Sequence, residues 1–196
     1  MRTRNYLILL LAIFISGCVA SFMAVLPSTV LVGDLKVTPT TAWNAAPASM
    51  RPYSRRDAQT WTQDGLLLDR IMIIPAVADG ETLFISRDDT AALPTFSSDM
   101  LPNELEELLE SSLVTFFGEG NAVVNTFGLR PHRFGENLGV LFDLDASLTD
   151  SPDYRGVAGA FIANDLLYFM LYVAAEPYYY GKHLDEAMSI IETASL

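Results

Sequence analysis

The order of its periodic segments predicts that this chain folds as an α+β domain, an antiparallel β-sheet with helices packed on it. Three observations carry that reading. Two-residue turn signals, Asp64-Gly65 and Asn164-Asp165, separate runs rich in β-branched and aromatic residues, as in antiparallel hairpins. Leu101, Leu105, Leu108, Leu109, Leu113 and Phe116 recur at three- and four-residue spacing, which gives a helix one apolar face. Strand-like and helix-like runs are segregated along the chain: strands, helix, strands, helix.

Taken in order, Ser28 to Gly33 reads as a β-branched strand that continues through Asp34 to Val37 with polar and apolar residues alternating. Residues 38–57 read as irregular, because Pro39, Pro47 and Pro52 interrupt them. Trp43-Asn44 is placed to pin this loop to the body. Arg51, Arg55 and Arg56 make it the most basic segment after the N-terminus, and such charge runs are ordinarily solvated positions facing an acidic surface. Residues 58–86 read as a three-stranded meander with turns at Asp64-Gly65 and Asp79-Gly80, where Asp-Gly supplies the positive φ angles of a type I′ turn. Ser86 to Ser97 reads as a polar loop.

The helix is expected over Asp99 to Phe117. Pro102 suits its first turn, Glu104, Glu106, Glu107 and Glu110 favour its dipole, and Gly118 and Gly120 end it. Strands follow at 121–129 and 140–146 around a turn at 135–139, with Phe142 and Leu144 on one face and Asp143 and Asp145 on the other. Ser151-Pro152-Asp153 turns the chain into strands 154–163 and 166–174, and Glu176-Pro177 breaks the sheet. A closing helix spans 179–194 with Leu184, Ala187, Ile191 and Ala194 on one face. This order of elements across residues 28–196 resembles the PsbP-like fold of photosystem extrinsic proteins and bacterial lipoprotein relatives. There, a hairpin and a helix precede a central sheet and a closing helix. The resemblance implies an α/β/α sandwich. It rests on element order and carries over no functional residue.

The N-terminus holds the sharpest motif. Arg2 and Arg4 precede the apolar run Tyr6 to Phe14, and Ile15-Ser16-Gly17-Cys18 closes it, which is the layout of a secretory signal. This resembles the bacterial lipoprotein lipobox, and the cysteine is the chain's only one. The resemblance implies removal of residues 1–17, lipidation of Cys18, a short lead over 18–27, and one domain over 28–196. Val19 rather than Asp follows the cysteine, which under the sorting rule of enteric bacteria implies the outer membrane, facing the periplasm. A second reading stays open: the apolar run from Tyr6 to Leu26 has the ~20 residues that a signal anchor needs to span a bilayer.

Composition limits the possible functions. Residues 1–17 carry two arginines and no acid, so Lys+Arg falls from 12 to 10 against 24 Asp+Glu, a net charge of −14. Such a chain repels nucleic acid and anionic headgroups. Without a second cysteine no internal disulfide is available, but two Trp, eight Tyr and eleven Phe supply a core. The catalytic inventory is thin. Two histidines, His132 and His183, cannot make a Cys/His zinc site. His183 and Glu186 share an ordinary surface spacing, and the acidic positions Asp143, Asp145, Asp150 and Asp153 lack the Gly and Glu of an EF-hand. There is no nucleophile elbow, and Ser111-Ser112 falls in mid-helix. Neither a metal nor a cofactor is expected.

Arg130, His132 and Arg133 stand out as three basic groups within four residues of an acidic chain. They read either as a site for a small anion or protein partner, or as cross-strand partners of Asp143, Asp145 or Glu136. Tyr178-Tyr179-Tyr180 reads either as an interface belt or as packing between sheet and closing helix. The function expected is a lipid-anchored, non-enzymatic envelope domain that binds a protein or a small ligand. A periplasmic hydrolase is the alternative, and it needs Arg130, His132 and Arg133 to converge with carboxylates.

Overall fold

A computed structural model describes residues 21–87, 92–118 and 120–196. The signal and lipobox, together with part of the loop read at 86–97, lie outside the described residues. Among the described residues are ten strands and two long helices: β1 (Met23–Val25), β2 (Val30–Val32), β3 (Leu35–Val37), β4 (Trp43–Ala45), β5 (Gln59–Thr62), β6 (Asp69–Val77), α1 (Pro102–Phe117), β7 (Ala122–Phe134), β8 (Asn137–Leu148), β9 (Tyr154–Ala163), β10 (Leu166–Ala175) and α2 (Tyr179–Glu192). Eight strands form one antiparallel sheet in the order β1-β4-β5-β6-β10-β9-β8-β7.

The central strand β10 is almost wholly apolar because both of its faces are covered. Tyr168, Met170, Tyr172 and Ala174 join Trp43, Trp61, Ala187, Ile190 and Ile191 in one core. Leu167, Phe169, Leu171 and Val173 join Leu105, Leu108, Leu109, Leu83 and Phe96 in the other. Strand alternation therefore places α2 on one side of the sheet and α1 on the other, so the expected α+β sandwich is the observed one. Asn164 and Asp165, at φ of 52° and 61°, close the β9–β10 hairpin as the sequence predicts. α1 begins at Pro102, and Gly118 ends it at φ 92° with its N–H donating to the Val114 and Thr115 carbonyls.

Several local expectations are corrected. Residues 28–37 are a hairpin, β2–β3, rather than one strand. Gly33 turns it at φ +62°, where a Cβ would come within 3.1 Å of Pro75. The segment 38–57 is not wholly irregular: Trp43, 1% exposed, anchors β4, which pairs with β1 and β5, and Ala48–Met50 form a single 3-10 turn. Strand β1 thus lies within the stretch read as a lead.

Asp64-Gly65 does not make a two-residue turn, because strand pairing stops at Thr62 and resumes at Asp69. The buried Asp69 carboxylate organises the wider loop, accepting from Thr62 Oγ1 (3.0 Å), Gln63 N–H (2.8 Å) and Asp64 N–H (2.7 Å). The meander ends after two strands. β6 pairs with β10 on its other side, and residues 81–85 make only isolated bridges such as Thr82↔Thr95 and Ser54↔Phe84. At the far edge, β7 and β8 run longer than predicted and meet at a tight Gly135-Glu136 turn rather than at 135–139.

Candidate functional site

The basic group on β7 is not one site. Arg130 lies just past a register shift between Phe127 and Arg130. Its guanidinium donates to Asp143 at 2.6 Å and to the Gly128 carbonyl at 2.9 Å, closing that bulge. His132 stands edge-on to Phe134, with ring centroids 4.8 Å apart, and its Nε2 lies 3.0 Å from the Glu192 carbonyl at the end of α2. Arg133 donates to the Glu136 carbonyl, 3.3 Å. Alternation along β7 sends it to the opposite face from His132 and Phe134. Strand geometry thus separates Arg133 from the other two.

The remaining candidates are also engaged. Asp145 pairs with Arg155, Asp153 accepts from Ser147, and Asp150 sits in a turn at φ 58°. Among the described residues no three His, Cys, Asp or Glu side chains converge as a metal would require. His183 and Glu186, paired by spacing, turn to different partners. His183 Nε2 and Lys182 Nζ both meet Asp64, at 2.7 and 2.6 Å. The Lys182 ammonium, aided by His183, holds the Asp64 carboxyl below its ordinary pKa. Glu186 accepts from the Thr40 and Thr41 backbone N–H groups at 2.7 and 3.0 Å, from the Thr40 hydroxyl, and from Trp43 Nε1 at 3.4 Å. Of the three tyrosines, Tyr178 is exposed, while Tyr180 is buried and stacks on Tyr172 at 6.0 Å.

The site that the fold does build is a cleft of about 220 Å³ on the α1 side of the sheet. Its floor is Thr60 and Met72, neighbours across the β5–β6 ladder, with Arg70 one step along the same face. Its roof is Leu113 and Phe116 from the last turns of α1. The third wall is Met50 to Ser54, a segment held by local turns and by two ties to residues 84–85. Ser54 bridges Phe84, and the Ile85 N–H donates to the Tyr53 carbonyl at 2.8 Å. Tyr53 and Phe84 both pack on Phe116, with centroids 5.5 and 5.9 Å away. Arg87 lies over the Tyr53 and Phe116 rings at the outer rim, 5.6 and 5.4 Å from their centroids.

Two guanidinium groups enter this apolar cleft. Arg51 donates through NH1 to the Arg55 carbonyl at 3.2 Å, while its Nε is buried with no hydrogen-bond partner. An unmade bond of that kind costs roughly 1–3 kcal/mol. Arg70 is half-buried and donates to the Leu66 carbonyl at 2.9 Å. Burial pulls its pKa down, against the opposing influence of Tyr154 and Asp69. The nearby Arg55 differs, being tied to Asp57 (3.4 Å), Glu81 (2.8 Å) and the Thr82 carbonyl (3.3 Å). The cleft can therefore hold an apolar group beside fixed positive charge. It presents no nucleophile–base pair.

The sequence reading missed this cleft. Arg70 did leave a signal, as a lone cation inside the apolar run Leu66 to Ile74. A charge there must face solvent or a cavity, or find partners inside the protein as Asp69 does. Arg51 reads in the sequence only as one of three solvated arginines with Arg55 and Arg56, because only the folded path of the chain brings it to α1.

Set beside solved structures, the chain is similar to cyanobacterial PsbP (CyanoP) from Synechocystis sp. PCC 6803. The TM-score is 0.57, with 92% of this chain and 96% of that chain covered at 8% sequence identity. It also aligns with LpqN, a protein involved in cell envelope biogenesis of Mycobacterium tuberculosis, at 9% identity over 92% of this chain and 86% of that one, with a TM-score of 0.33. No protein-family model matches the sequence, and no curated protein matches it. The first likeness shows a PsbP-like α+β fold, and it speaks to fold alone.

Proposed function

We propose that this protein is a lipid-anchored domain of the bacterial envelope that binds a small ligand without transforming it. The observation that carries the binding reading is the cleft between α1, β5–β6 and residues 50–54. It is an apolar, partly enclosed space with fixed polar groups at its wall, the general form of a small-molecule site. The anchor rests on Ile15-Ser16-Gly17-Cys18, and Val19 supports the outer membrane, periplasmic side. No helix among the described residues is long and apolar enough to cross a membrane. The signal-anchor alternative concerns residues that lie mostly outside that description. The hydrolase alternative required Arg130, His132 and Arg133 to converge, and strand alternation puts Arg133 on the face opposite Arg130 and His132, which favours binding over hydrolysis.

Both halves of the reading have direct tests. Cells fed a palmitate analogue should label the wild-type protein and not Cys18→Ser; label on the variant, or none on the wild type, contradicts the anchor. Native mass spectrometry of protein isolated from the envelope should show a small-molecule adduct on wild type that Leu113→Trp, which fills the cleft, removes. A wild type without adduct, or an adduct that survives filling, contradicts the binding site.

A further inference from the structure

The cleft also specifies the chemistry of its occupant. In a chain with 24 acids and 12 Lys+Arg, Arg55, Arg130 and Arg155 each meet a carboxylate. Arg51 and Arg70, the two arginines lining the cleft, meet none among the described residues. Their polar contacts are to carbonyl oxygens alone, and the Arg51 Nε–H has no acceptor. Asp69 acts on Arg70 only through space, and Tyr154 lies under it at 5.8 Å; cations held against apolar walls without a direct ion pair are poorly solvated. An arriving carboxylate offers acceptor lone pairs to the vacant donor and charge to both groups, the match for which a guanidinium fork is suited.

We propose that the cleft binds a small apolar acid, its carboxylate on Arg51 and Arg70 and its hydrocarbon or aromatic body against Met72, Leu113 and Phe116. This rests on the cleft-binding reading above and adds the charge and size of the ligand. At about 220 Å³ the cleft falls below the roughly 300–1,000 Å³ of drug-sized ligand pockets and takes a correspondingly small body. That is one short chain or one ring, too little for a two-chain lipid. A net charge of −14 outside the signal also keeps the domain off an anionic bilayer. The acid therefore comes from solution and not from the membrane.

The test uses the full-length protein in neutral phosphatidylcholine nanodiscs, with empty nanodiscs as the blank. Calorimetry compares 3-phenylpropionate with 3-phenyl-1-propanol, which shares its body and lacks the charge. The acid should bind at least tenfold more tightly than the alcohol, and Arg51→Gln and Arg70→Gln should each erase that preference while binding of the alcohol persists. Arg51 lies outside the sheet, so Arg51→Gln keeps the test open where Arg70→Gln disturbs β6. Equal affinity for acid and alcohol, or a preference that survives both variants, overturns the anion assignment and leaves the cleft standing. Binding of neither probe overturns the cleft reading itself.

Discussion

Glu186 shows how one side chain organises a stretch that the sequence left as loop. Burial alone would raise its pKa, but donors from Thr40, Thr41 and Trp43 hold the carboxyl below its ordinary value of 4.5. A carboxylate with a depressed folded pKa stabilises the fold fully above the unfolded value. That stabilisation is lost as pH falls through the folded one. Glu186→Gln should therefore cost about 1 kcal/mol in urea melts at pH 7, the figure discounted for partial exposure, and the difference should shrink as pH falls below the unfolded value of about 4.3 and vanish only below the lower folded one. Ser112 predicts the opposite sign. It is fully buried on α1 with its hydroxyl unpartnered, so Ser112→Ala should be neutral or stabilising by up to about 1 kcal/mol at every pH. Neither role is visible in the sequence. Glu186 was noticed for its spacing from His183, yet its partners lie 143 to 146 residues away.

Elements were legible where local signals were strong. α1 declared itself through its leucine spacing and Pro102, and the β9–β10 hairpin through Asn164-Asp165. Elements were misread where a distant partner decides. Three-residue strands such as β1 and β4 exist because Trp43 has a core to enter, and the loop after β5 is wide because Asp69 gathers its amides. At the far edge, Glu110, counted as a dipole charge on α1, instead accepts from the Thr126 N–H (3.2 Å) and hydroxyl (2.9 Å). This occupies a donor on the edge strand β7 and blunts edge-to-edge pairing. α2 lies close to the sheet because Gly159 leaves it room: a Cβ there would sit 2.5 Å from Ile191 Cγ2 and 3.1 Å from Phe134. Gly159→Val should push α2 off β9 and cost roughly 1–3 kcal/mol through overpacking, read as a lowered midpoint of chemical unfolding. An unchanged midpoint would mean that α2 is not seated on β9 as described.

At the scale of the molecule, one face of the sheet is closed by α2 and the β2–β3 hairpin, while the other is closed by α1 with Leu83, Phe84, Leu93 and Phe96, with the cleft at the margin of that cover. The fold class and the two-faced sheet were readable in advance because apolar periodicity encodes them. The cleft was not, since its walls come from residues 50–54, 60–72, 84 and 113–116, which only tertiary structure assembles. In the proposed function Cys18 is the anchor and the α1 side the binding site, while Arg130 closes a bulge in β7. Methyl NMR of the full-length protein in nanodiscs, labelled at Met and Leu and titrated with 3-phenylpropionate, tests that assignment most directly. The account predicts that the signals of Met50, Leu66, Met72 and Leu113 move together and saturate, while Leu129 and Leu138 beside Arg130–Arg133 stay still. Movement confined to Leu129 and Leu138, or no movement at all, would contradict it.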